Sequence, residues 1–219
     1  MPESALIQAE GAYARIHVAF QGELGAYGEE AITQRWRGAA SPVPSIGFAD
    51  VVVAVSSGSV EYGILPVWNT IVGDIGRGRA ALRLARSAYH ALVDVGEVQV
   101  VVRHQLLALP GCTLDDIDSV ASHPVALAQC GRFLARHPHM RAVSVYDTAG
   151  AARDLTTNRT RASAAIASRA AAERYGLMVL KSDVQDTPDN ITRFVVLARS
   201  VRVRDGALTR RSEEETLQW

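Results

Sequence analysis

At 219 residues the chain can build one large domain or two lobes, and its 48% hydrophobic and 21% charged content is that of an ordinary globular protein. Its 23 basic residues balance 23 acidic ones and form no basic block, so the electrostatic footprint of a nucleic-acid binder is missing. Cys112 and Cys130 lack metal-ligand spacing and make no disulfide framework; Cys130 falls on a helical pattern and reads as a buried thiol.

Residues 1–14 carry Glu3 and Glu10, no basic start and no long apolar core. That is neither a signal peptide nor a membrane span, so the expectation is a loose tail on a cytoplasmic protein without a membrane partner. Residues 15–20 alternate and read as a first strand, ending at Gln21-Gly22. The glycine-rich turn at 22–25 leads into a helix over 26–37, a strand-to-helix junction that offers backbone N–H groups and a positive helix end to an anion. Without the spacing of a dinucleotide fingerprint, a carboxylate fits there better than a pyrophosphate. A short strand over 42–46, a buried helix over 48–55 and a strand over 60–67 follow, the last leading into Trp68-Asn69-Thr70.

The arginine-rich stretch 73–88 reads as partly helical, and strands over 91–95 and 98–109 flank a turn at Gly96-Glu97. A second βα series comes next: strands at 119–122, 142–145, 164–167 and 177–180, with helices over 124–136, 148–155 and 169–175. Pro124 suits a helix start, and Asp147 or Thr148 can cap the helix that follows. The polar, turn-prone segment 183–192 stops at Thr192-Arg193-Phe194, and the apolar run 194–198 reads as a buried strand. This places a hydroxyl and a guanidinium at a strand mouth, where α/β proteins tend to present reactive groups.

Thr-Arg-Phe after VQDTPDN at 184–190 resembles the signature of prephenate dehydratases, and five other segments agree in order. They are GELGAYGE at 22–29, ILPVWNTIVG at 64–73, SHPVALAQC at 122–130, DTAGAA at 147–152, and AIAS with AAERYGL at 165–177. Three positions depart from the family pattern: Trp68 replaces a glutamate, Gly28 a serine and Val125 a glutamine.

The resemblance implies an α/β, two-lobed fold like type II periplasmic binding proteins, with the active-site cleft between the lobes. Residues 15–92 and 187–200 would form the first lobe and 93–186 the second, with tails at 1–14 and 201–219. It implies the conversion of prephenate to phenylpyruvate without cofactor or metal. Thr192 matches the family threonine implicated in catalysis. Asn69, Thr70, Arg193, Phe194, Gln21, Tyr27, Thr148 and His123 are the candidate substrate contacts. A non-aromatising decarboxylase, an arogenate dehydratase and a non-catalytic binding module are the competing readings. The short, charged 201–219 segment predicts no regulatory ACT domain, and no chorismate mutase domain is expected either. A homodimer is a further expectation, with the apolar stretch 98–102 as an exposed surface for pairing.

Overall fold

The computed structural model describes residues 15–89 and 91–200, so the expected tails at 1–14 and 201–219 lie outside the described residues. Two sheets carry the chain. Alternation at Ile16–Gln21 (β1), Ala40–Ser45 (β2) and Tyr62–Asn69 (β3) gives parallel strands, each followed by a helix or hairpin. The helices are Tyr27–Trp36 (α1), Phe48–Ser57 (α2) and, after the short strand Gly73–Asp74 (β4), Gly76–Ala88 (α3). Leu92–Val101 (β5) and the returning Ile191–Arg199 (β11) complete the first sheet in the order β2-β1-β3-β11-β5, with β4 on β3.

The second sheet has the order β10-β6-β9-β7-β8, from Gln105–Ala108 (β6), Ser119–Ser122 (β7), Arg141–Ser144 (β8), Ser163–Ala167 (β9) and Met178–Lys181 (β10). Its helices are Pro124–Gln129 (α4), Gly131–Arg136 (α5), Thr148–Asn158 (α6) and Arg169–Tyr175 (α7). The single helix expected over 124–136 is two, stepping at Cys130.

The chain leaves the first sheet at 102–104, later than the expected lobe boundary between residues 92 and 93. Gly96-Glu97 is not a turn. Gly96, at φ 141°, sits opposite a register shift between Val195 and Leu197, so β5 absorbs a bulge and continues along β11. Nor is 98–102 an exposed apolar surface: Val98, Val100 and Val102 are buried and only alternate residues face out, because β5 is a sheet edge with one face on the core. The return crossing runs beside the outgoing one, joined by Val102 N–H to Asn190 O at 2.7 Å and Val184 N–H to His104 O at 2.9 Å.

One apolar core straddles both sheets. Val18, Phe20, Ile64, Val100 and Phe194 from the first meet Leu107, Ala165 and Ala167 from the second, with Ala31 and Ile32 of α1, Ala152 and Leu155 of α6 and Ala171 of α7 between them. Small residues let these helices approach closely. At Gly25, with φ 91°, a Cβ would lie 2.8 Å from the Ala171 Cα, so the loop before α1 can touch α7 only as glycine. Polar contacts lock the same seam: Ser168 Oγ donates to Gly25 O at 2.6 Å, Tyr175 OH to Leu24 O at 2.7 Å, and Arg153 pairs with Glu23 at 2.6 Å.

A second glycine fixes α3 against β3. A Cβ at Gly78 would stand 1.7 Å from the Pro66 carbonyl oxygen. Gly78→Ala must push α3 off the sheet, and a loss of about 1–3 kcal/mol in stability is expected. A melting temperature equal to that of the parent protein would show that α3 is not held there.

Candidate active site

Between the lobes lies a cleft of about 710 Å³. Four helices of ten or more residues begin on it: Tyr27 of α1, Phe48 of α2, Arg77 of α3 and Thr148 of α6 all line its wall. The N–H groups and positive dipole ends of helix starts favour anions, and four beside one volume favour negative charge there, although Asp147 already caps α6 and Asp50 accepts from Gly47 N–H at the start of α2. Arg77 adds a full cation. Among the described residues, the two carboxylates on the cleft are already engaged. Asp74 pairs with Arg79 at 2.8 Å, and Asp147 caps α6 by accepting from Gly150 N–H at 2.7 Å. Burial holds the Asp147 carboxyl above its ordinary range.

On the cleft floor sits a hydrogen-bonded row of buried polar side chains. Asn69, at the end of β3, pairs in register with Thr192 on β11. Its Oδ1 accepts from Ile71 N–H at 2.9 Å and Val72 N–H at 3.2 Å, which fixes the amide's orientation. Both Nδ2 hydrogens are then committed, one to Asn190 Oδ1 at 2.7 Å and one to Thr192 Oγ1 at 2.9 Å. Thr192 therefore receives a hydrogen bond and keeps its own hydrogen for the cleft. Accepting one bond polarises a hydroxyl toward donating another.

The row continues into the second lobe. Asn190 Nδ2 donates to Gln129 Oε1 at 3.0 Å, Gln129 Oε1 meets His104 Nε2 at 2.9 Å, and His104 Nδ1 meets Tyr27 OH at 3.1 Å. Tyr27 OH also reaches Arg103 O at 2.9 Å. Burial lowers the His104 pKa, the Gln129 contact opposing it, and raises that of Tyr27 with help from Glu30 and Cys130. Burial, with Asp186 nearby, pushes the Cys130 thiol to about 12, consistent with the inert buried thiol expected from sequence.

Of the residues singled out by sequence, Thr192, Asn69, Gln21, Tyr27, Thr148 and His123 line the cleft. Thr192 lies within β11 rather than at its mouth, because the strand starts one residue earlier, at Ile191. His123 caps α4, its Nδ1 accepting from Val125 N–H at 3.2 Å.

Three candidates are elsewhere. The bulge between Arg193 and Phe194 turns Phe194 into the straddling core, where it is 4% exposed. Arg193 lies over the Trp68 ring, 5.8 Å from its centroid, beside the core under α2 and α3. Thr70 is spent on the backbone, donating to Asp189 O at 2.6 Å and accepting from Ile191 N–H at 2.9 Å.

Trp68 itself packs against the core under α2 and α3, with Arg193 over its ring, and is not among the cleft-lining side chains. Gly28 is explained by packing: a Cβ there would meet the Phe20 ring at 2.8 Å. Val125 does line the cleft, 40% exposed, where the family pattern has a glutamine.

Sequence reasoning missed Arg77, His104, Gln129 and Asn190. Gln129 and Asn190 stood inside quoted motifs, and their inward direction follows only from the fold. Arg77 was one of several arginines in 73–88, with nothing local to mark it.

The model of the prephenate dehydratase family matches residues 18–202. Arogenate dehydratase 2 of Petunia hybrida is 41% identical over 185 residues, 84% of this chain and 45% of that protein. Arogenate dehydratase/prephenate dehydratase 2, chloroplastic, of Arabidopsis thaliana is 40% identical, over 84% and 47%. The chain thus spans about half the length of these curated relatives. Among solved structures, prephenate dehydratase from Arthrobacter aurescens in complex with L-Phe superposes with a TM-score of 0.75 at 29% identity, covering 84% of this chain and 60% of that one. GqqA, described as a novel type of quorum quenching acylase, gives a TM-score of 0.74 at 36% identity, covering 84% and 64%. A family match over nearly the whole described chain, on a two-lobed fold with the motif threonine on the cleft floor, has one meaning: the chain belongs to the prephenate dehydratase family.

Proposed function

We propose that the cleft catalyses the decarboxylating dehydration of prephenate to phenylpyruvate, a step in making phenylalanine. The bond from the ring to its carboxylate breaks, releasing carbon dioxide. Its electron pair moves into the ring, and the hydroxyl on the opposite carbon leaves with a proton as water. Aromatisation supplies the driving force, so the protein's task is to hold two carboxylates and assist the departing oxygen. The four helix starts and Arg77 suit the first task, and Thr192 suits the second. The observation that carries this reading is the bond from Asn69 to Thr192 Oγ1, which leaves the threonine hydrogen free to donate at a residue that lines the cleft.

Mixing the protein with prephenate or with arogenate and identifying products by mass spectrometry tests the reading. Phenylpyruvate from prephenate is the expected result. Faster formation of phenylalanine from arogenate would make arogenate the substrate, the activity for which the petunia relative is named. Loss of carbon dioxide with the ring hydroxyl retained would make the protein a decarboxylase, and binding without turnover a binding module. For Arg77→Gln we expect KM to rise about tenfold with kcat nearly unchanged, the mark of lost uniform binding. An unchanged KM would remove Arg77 from the site. The proposal also takes the assembly to be a homodimer, and a single species of monomer mass in sedimentation equilibrium would refute that part.

A further inference from the structure

The row on the cleft floor has a direction, and that direction is imposed at one end. The Ile71 and Val72 amides fix Asn69 Oδ1, so Asn69 must present its Nδ2 to Asn190. Asn190 must then turn its own Nδ2 to Gln129, leaving Gln129 Oε1 as an acceptor toward both Asn190 and His104. His104 Nε2 therefore carries a hydrogen. Only Nδ1 remains open, and it faces Tyr27 OH.

Tyr27 has one hydroxyl hydrogen and two acceptors within reach, His104 Nδ1 at 3.1 Å and Arg103 O at 2.9 Å. A neutral ring takes that hydrogen at Nδ1. A charged ring donates from Nδ1 to the phenol oxygen instead, and Tyr27 turns its hydrogen to Arg103 O. Both states satisfy the ring nitrogens of His104, a side chain only 2% exposed. The ring also lines the cleft.

We infer that His104 is a positioning residue that takes up a proton when a dianionic acid occupies the cleft, Tyr27 turning its hydroxyl hydrogen from the His104 ring to the Arg103 carbonyl. The proton comes from solvent and goes to Nδ1; no bond other than that N–H is made or broken, and Tyr27 keeps its own hydrogen. The inference rests on the reading of the cleft as a prephenate site.

The surroundings allow the charge without fixing it in advance. Tyr27 and Glu30 face this region from α1, and burial raises both pKa values. Cys130 at the end of α4 is a neutral thiol. On the crossings, Arg103 is paired with Asp183 at 3.2 Å, Asp186 accepts from Arg132 N–H at 2.9 Å, and Gln185 accepts from His104 N–H at 2.8 Å. Among the described residues no carboxylate hydrogen-bonds to the ring, so the partner for an imidazolium must arrive with the ligand. At pH 7 the free ring, lowered by burial, is neutral. In acid it is charged before the ligand binds, and uptake must vanish there.

The test is calorimetric titration of the full chain carrying Thr192→Val with prephenate at pH 7, in MOPS and in Tris. The buffers differ in ionisation enthalpy, so the difference in heat counts protons. About one proton taken up per site is expected. Binding with equal heats would overturn the inference alone, whereas no binding at all would overturn the proposed function with it.

Adding His104→Gln should abolish the uptake, and uptake that persists would assign the proton to another group. Should that variant not fold, imidazole nitrogen resonances of the protein with His104 intact decide the matter. Nδ1 must change from unprotonated to protonated as prephenate is added, and an unchanged Nδ1 signal refutes the inference.

Discussion

Thr192→Val is expected to lower kcat on prephenate by about 10²–10³-fold, the usual cost of removing one donor that faces developing negative charge, with KM little altered. Valine keeps the branched shape that a strand residue paired with both Asn69 and Val100 must have. What is lost is the hydroxyl, the group to which the proposed reaction assigns donation to the leaving oxygen. The substitution also leaves one Asn69 hydrogen without its acceptor, at a buried site where an unmade bond costs about 1–3 kcal/mol. A modest fall in melting temperature should therefore accompany the loss of rate. Thr192→Ser separates the two effects, since it restores the hydroxyl and should recover most of the activity. If valine turns over prephenate as fast as threonine, the hydroxyl has no part in the reaction.

Asn69→Asp should be as damaging as removing the hydroxyl, although the side chain hardly changes size. One carboxylate oxygen still accepts from the Ile71 and Val72 amides. The other replaces the Nδ2 group and now confronts two oxygens, Asn190 Oδ1 at 2.7 Å and Thr192 Oγ1 at 2.9 Å. Thr192 must then give its hydrogen to the introduced carboxylate rather than to substrate, and Asn190 must turn over and release Gln129. We expect kcat to fall by about 10²-fold or more. Because both substitutions withdraw the same hydrogen from the cleft, the double variant Asn69→Asp with Thr192→Val should be little worse than either single one. Additive losses would mean that the two residues act separately.

Much of the architecture was legible because helix and strand periods differ and because glycine and proline mark the joints. The strand at 119–122 and the helix at 169–175 have the expected bounds. Errors fell where a tertiary contact overrides a local signal. Gly96 looks like a turn, yet β11 pairs on both sides of it and makes it a bulge. For Thr70, Arg193 and Phe194, neighbours in sequence of true cleft residues, direction decided the outcome. A strand sends successive side chains to opposite faces, and one bulge reassigns them. Motif reasoning located the right segments, whereas which side chain turns inward depends on register. The Asn190 and Gln129 contacts join residues 61 apart in the chain, a relation no local pattern encodes.

The apolar mass shared by the two sheets bears on how the molecule can be taken apart. Phe20, Leu107 and Leu155 sit in one cluster although they belong to different halves of the chain. Cutting at the two crossings would yield fragments that each bare a greasy flank, so neither half should survive as an independent folding unit. Melting should be a single cooperative event, and a broad swing of one half away from the other would have to tear open the very interior that keeps both folded.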